Sequence, residues 1–61
     1  MKYGTIKQIS GPVVDVAFAE GYLPRIRGAL TVSVGQGTRT MEVSQHVGHD
    51  TVRCIMLAGS E

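Results

Sequence analysis

This 61-residue sequence predicts an all-β fold, a small antiparallel β-barrel of five to six short strands. Three observations carry that reading. The chain holds eight Val, four Ile and five Thr, β-branched residues that fit the pleated, half-buried surface of a strand. Its eight Gly and two Pro are spread along the chain as punctuation. No window of about 11 residues carries apolar groups at i, i+3, i+4 and i+7 without a Gly or Pro interrupting it, so no amphipathic helix is expected.

The elements follow in order. Gly4 to Ser10 reads as a first strand, and because Ile6 and Ile9 differ in parity, a bulge or strong twist is expected between them. Gly11-Pro12 is a turn. Val13 to Phe18 is the clearest strand, with Val14, Val16 and Phe18 facing inward and Val13, Asp15 and Ala17 on the other face. Ala19 to Gly28 reads as a loop, turning at Glu20-Gly21 and barred from regular pairing by Pro24. Its Tyr22, Leu23 and Ile26 are too apolar for an idle connection. Ala29 to Val34 is a strand with Leu30, Val32 and Val34 inward. Gly35-Gln36-Gly37 signals a hairpin. Thr38 to Gln45 returns, with Met41 and Val43 inward. A turn at Gly48-His49-Asp50 leads into Thr51 to Leu57, where Val52, Cys54 and Met56 alternate with Ile55 and Leu57. Both faces of that last strand are apolar apart from Arg53, which predicts burial on both sides. The expected core is therefore Val14, Val16, Phe18, Leu30, Val32, Val34, Met41, Val43, Val52 and Cys54.

Size and charge narrow the function. The chain reads as one domain over residues 1–61, and a domain this small buries only about 60% of its unfolded surface. An apolar share of 43%, a charged share of 18% and a net charge of +1 fit a folded globular chain. No clustered basic excess favours nucleic acid or a membrane surface. The apolar run Ile55 to Ala58 is far short of the roughly 20 residues a spanning helix needs, and the N-terminus has no apolar signal region. The single cysteine rules out an internal disulfide and fits a reducing, cytoplasmic setting.

Chemical motifs are weak. A P-loop needs Gly-Lys-Ser/Thr after a glycine-led loop, and neither lysine, Lys2 or Lys7, follows a glycine. His46, His49, Asp50 and Cys54 lie close in sequence, but His49 and Asp50 belong to a turn and Cys54 to the core, so no metal site is expected. No nucleophile elbow occurs. The chain is expected to be no enzyme and to need no cofactor. A small barrel that binds single-stranded nucleic acid is the alternative, resting on Tyr3, Tyr22 and the Arg25–Arg27 pair.

The stretch Gly4-Thr5-Ile6-Lys7-Gln8-Ile9-Ser10-Gly11-Pro12-Val13-Val14-Asp15-Val16-Ala17-Phe18 resembles the opening of the catalytic beta subunit of F-type rotary ATP synthases. The resemblance continues at Leu23-Pro24-Arg25-Ile26-Arg27-Gly28-Ala29-Leu30, at Met41 to Gly48 and at Thr51 to Ile55. It implies a six-stranded barrel whose copies in alternating alpha and beta subunits form a ring, the crown, that holds the hexamer together. It implies a barrel without chemistry of its own, alpha-subunit barrels as neighbours and a place in the peripheral sector of a membrane-bound machine, without membrane insertion. The short hairpin at Gly35 to Thr38, and Cys54 with Met56-Leu57, depart from the family pattern. The family continues past Glu61 through a segment that completes the barrel, so an excised, redesigned or reconstructed fragment is expected.

An unclosed barrel would leave two edge strands with unpaired backbone groups. The expected partner is a second copy of the chain, in a dimer completed by edge pairing or strand exchange. Leu23, Pro24 and Ile26 are the candidate interface residues.

Overall fold

The computed structural model describes residues 3–19, 22–35 and 37–57. Five strands form one antiparallel sheet: β1 (Gly4–Ser10), β2 (Val13–Phe18), β3 (Ala29–Val34), β4 (Gly37–His46) and β5 (Thr51–Met56). Their order across the sheet is β1-β2-β5-β4-β3, so β5 is central and β1 and β3 are the edges. The fold is an all-β half-barrel. Among the described residues β1 and β3 make no contact, and the sheet stays open between them. The expected turn at Glu20-Gly21 lies outside the described residues.

Each connection has a local cause. Gly11, at φ +60°, opens the two-residue link between Ser10 and Val13. A glycine there followed by proline fits a II′ hairpin, whose twist matches the strands. The β2–β5 pairing is regular from Val13↔Ile55 to Ala17↔Thr51, and Phe18 N–H extends it by donating to the Asp50 carbonyl at 2.7 Å. Val47 N–H donates to the Thr51 carbonyl at 3.0 Å and ties off the β4–β5 turn.

Two irregularities set which side chains face inward. In β1 the register shifts between Ile6 and Gln8, leaving Lys7 as the extra residue. Ile6 then lies opposite Val16 and Ile9 opposite Val14, both on the core face. In β4 the register shifts between Val43 and Gln45, with Ser44 as the extra residue. Gln45 therefore faces Arg53 and His46 faces Val52, so the bulge carries His46 to the inner side of the sheet.

The core is compact and apolar: Val14, Val16, Phe18, Met41, Val43, Val52 and Cys54 are buried, and no buried polar side chain accompanies them among the described residues. Leu23, Leu30, Val32 and Met56 pack against it while half-buried. Two expectations are corrected here, for β3 and for the last strand. Leu30 and Val32 are not fully buried, because β3 is an edge strand with a neighbour on one side only. The last strand is buried on one face, not two; Ile55 and Leu57 are about two-fifths exposed because, among the described residues, the outer face of the sheet has no second layer. Ile6 and Ile9, on the inner face of β1, are also exposed, since nothing described closes over that edge. The Val34 side chain, expected in the core, lies outside the described residues.

Gly4 shows how tightly β1 meets β2. A Cβ at Gly4 would come within 2.5 Å of a Val16 methyl and 2.9 Å of the Phe18 ring. Only glycine lets the first strand lie this close to the core.

Candidate assembly surface

Three features of the sheet bear on function: its covered inner side, its outer face and its two open edges.

The inner side is covered by the β2–β3 loop. Pro24 is buried and Leu23 is half-buried against the core. The Tyr22 ring stands edge-on to Phe18, with centroids 5.4 Å apart and planes at 72°, an arrangement aromatic pairs favour. His46 Nε2 donates to the Pro24 carbonyl at 2.7 Å. That bond clips the loop to the end of β4. The candidate interface residues are thereby divided: Leu23 and Pro24 are committed to this chain's own core, and Ile26 alone is open, at 52% exposure. A loop with polar ends and apolar middle looks alike whether it covers its own core or awaits a partner. The role of His46 was missed as well; the only signal for it was the bulge at Ser44, which a single sequence does not announce.

The loop ends in a strained turn. Gly28 N–H donates to the Arg25 carbonyl at 2.8 Å, and Arg27 between them sits at φ +75°. Arg27 N–H donates to the Val43 carbonyl at 2.8 Å while Val43 N–H donates to Gly28 at 2.9 Å. Two residues thus face one, which is a bulge whose left-handed position normally holds glycine.

Among the described residues, the outer face carries the Asp15–Arg53 ion pair. Asp15 and Arg53 stand opposite each other on β2 and β5. Arg53 Nε donates to Asp15 Oδ1 at 3.0 Å and Nη2 to Oδ2 at 3.2 Å. The side-chain hydrogen bond from Arg53 holds the Asp15 carboxyl below the usual carboxylate range, with burial opposing it more weakly and the guanidinium charge adding to it. Arg53 is held correspondingly above its ordinary value. Further along this face, Ile26, Glu42, Ile55 and Leu57 line a shallow open groove.

Among the described residues, the polar side chains that lie close in sequence do not come together in space. His49 points into solvent beside Asp50, 4.0 Å away, and Asp50 accepts from Thr51 Oγ1 at 2.9 Å. His46 is bound to the loop and Cys54 is buried, so the four residues close in sequence diverge in space. Among the described residues no group of three His, Cys, Asp or Glu side chains is placed to hold a metal ion. Burial, aided by the Asp15 charge, pushes the Cys54 thiol above its ordinary pKa, the reverse of an activated nucleophile. No helix among the described residues is long and apolar enough to cross a membrane.

The family model for the ATP synthase alpha/beta family, beta-barrel domain, matches residues 6–61. The chain belongs to that family. The match takes in all of β2 to β5, and β1 from Ile6 onward. The open sheet described above is thus the beta-barrel domain of that family, a non-catalytic domain within it. The Asp15–Arg53 pair and the strained Arg27 turn lie within the matched segment.

Proposed function

We propose that this chain is a structural assembly module, of the kind that joins neighbouring alpha and beta barrels into the ring of a rotary ATP synthase. As a separate chain it associates with a second copy. The observation that carries the reading is the family match over residues 6–61. Two open sheet edges and the exposed Ile26, Ile55 and Leu57 support it, because unpaired backbone and uncovered apolar groups gain from a neighbour.

The mechanism needs no reacting group. Backbone N–H and C=O groups at an edge exchange water for a partner strand, and apolar side chains lose contact with water at about 25 cal/mol per Å² buried. Binding that favours the folded state raises its apparent stability with concentration. Thermal unfolding across a dilution series tests this. The midpoint rises with protein concentration if the module self-associates; a constant midpoint rejects the second copy as partner.

A further inference from the structure

We infer that β3 is the self-pairing edge of this chain, taking a second copy antiparallel with Thr31 on the twofold axis. The inference deepens the assembly reading and rests on it. The two open edges differ. β1 carries a bulge with a lysine, Lys7, at its centre, and natural sheets use both devices to stop an edge from accepting another strand. β3 has neither. It is six residues long, pairs regularly with β4 and holds no charge.

The direction of its backbone groups follows from β4. Gly28 accepts from Val43 at 2.9 Å, so in an alternating ladder Leu30 and Val32 bond toward β4. Ala29, Thr31 and Ser33 then aim N–H and C=O outward. The far side of β4 agrees: Thr40, opposite Thr31, turns its carbonyl away from β3 and accepts from Leu57 at 3.1 Å. Among the described residues no backbone hydrogen bond outside the β4 ladder reaches Ala29, Thr31 or Ser33.

One register uses all three outward residues. With Thr31 opposite its own copy, Ala29 meets the second copy's Ser33 and Ser33 meets the second copy's Ala29. Leu30 then lies opposite the second copy's Val32, apolar against apolar on the inner face. No like charges oppose each other within the paired strands. A shift by one residue sets Thr31 against Val32 and mixes the two faces, which disfavours it.

Thr31 is exposed, so Thr31→Lys places two like charges on the axis without disturbing the core. Sedimentation of the full chain is expected to give a dimer for the parent and a monomer for Thr31→Lys, with the same circular dichroism. A second variant, Thr31→Cys, is expected to form a covalent dimer under mild oxidation. Bonded antiparallel partners lie about 5.5 Å apart at Cα, inside the span of roughly 4.4–6.8 Å that a disulfide bridges, and Cys54 is buried away from the reaction. A parent dimer that survives Thr31→Lys, with no cross-link through Thr31→Cys, overturns the β3 edge while leaving self-association standing. A parent that is monomeric at every concentration overturns both. If Thr31→Lys fails to fold, the cross-link decides alone.

Discussion

Asp15 and Arg53 bind each other through two hydrogen bonds, 3.0 and 3.2 Å long, between β2 and the central strand β5. They are 38 residues apart in sequence, so the pair reports the β2–β5 register and not a local turn. A cross-strand opposite-charge pair at this position favours one alignment of the strands over its neighbours.

The pair makes stability depend on pH at the acid end. The folded Asp15 carboxyl is held below its ordinary value, so its contribution is present above the unfolded value of about 3.9 and is lost as pH falls through the folded value. Asp15→Asn should be less stable than the parent at neutral pH and equal to it in strong acid. Urea unfolding at both conditions checks this; a difference that persists in acid would assign the effect to shape instead of charge.

Arg27 holds a left-handed backbone conformation at φ +75°. That conformation costs an ordinary residue about 1–2 kcal/mol, part of which glycine returns through its greater freedom when unfolded. Arg27→Gly is expected to stabilise the chain by about 1 kcal/mol. A neutral or destabilising result in urea unfolding would mean that the Arg27 side chain does more than the backbone geometry indicates.

Val43 and Val52 are fully buried at the centre of the core. Truncating either to alanine removes two methyl groups and leaves a cavity, at a cost of about 2 kcal/mol or more. In a domain of marginal size that shifts the unfolding midpoint strongly. Val14→Asp, which sets an unpaired charge in the same core, is expected to abolish folding. A native-like spectrum from Val14→Asp would put the core on the wrong face.

Cys54 is buried and its thiol pKa is raised, chiefly by burial. Its contribution is whole below the unfolded value of about 8.5 and is lost as pH rises from there through the folded value. Thiol reagents are expected to label Cys54 only at the rate of unfolding. Labelling at the rate of a free exposed thiol would show that the sheet does not cover it.

Much of this fold was legible along the chain. Period-two alternation placed the strands, and Val14, Val16, Phe18, Met41, Val43, Val52 and Cys54 all face the interior. The parity break between Ile6 and Ile9 marked the bulge that the structure shows at Lys7. What the pattern could not carry is neighbour identity. Periodicity says that Leu30 and Val32 share a face, but only the strand order makes β3 an edge and leaves them half-buried. Ile55 and Leu57 look like core residues until, among the described residues, nothing proves to cover the outer face. Pro24 and Leu23 read as candidate interface residues, and only the folded chain shows that Leu23 packs against the core and that His46 bonds the Pro24 carbonyl. That bond depends on a bulge at Ser44, which changes the parity of the strand after Val43 and has no composition signal.

The central claim is that this barrel chain works by joining to a neighbour. Sedimentation of the pure chain over a wide concentration range tests it most directly. The account predicts a mass that rises from one chain to two as concentration increases; a mass of one chain throughout would contradict it.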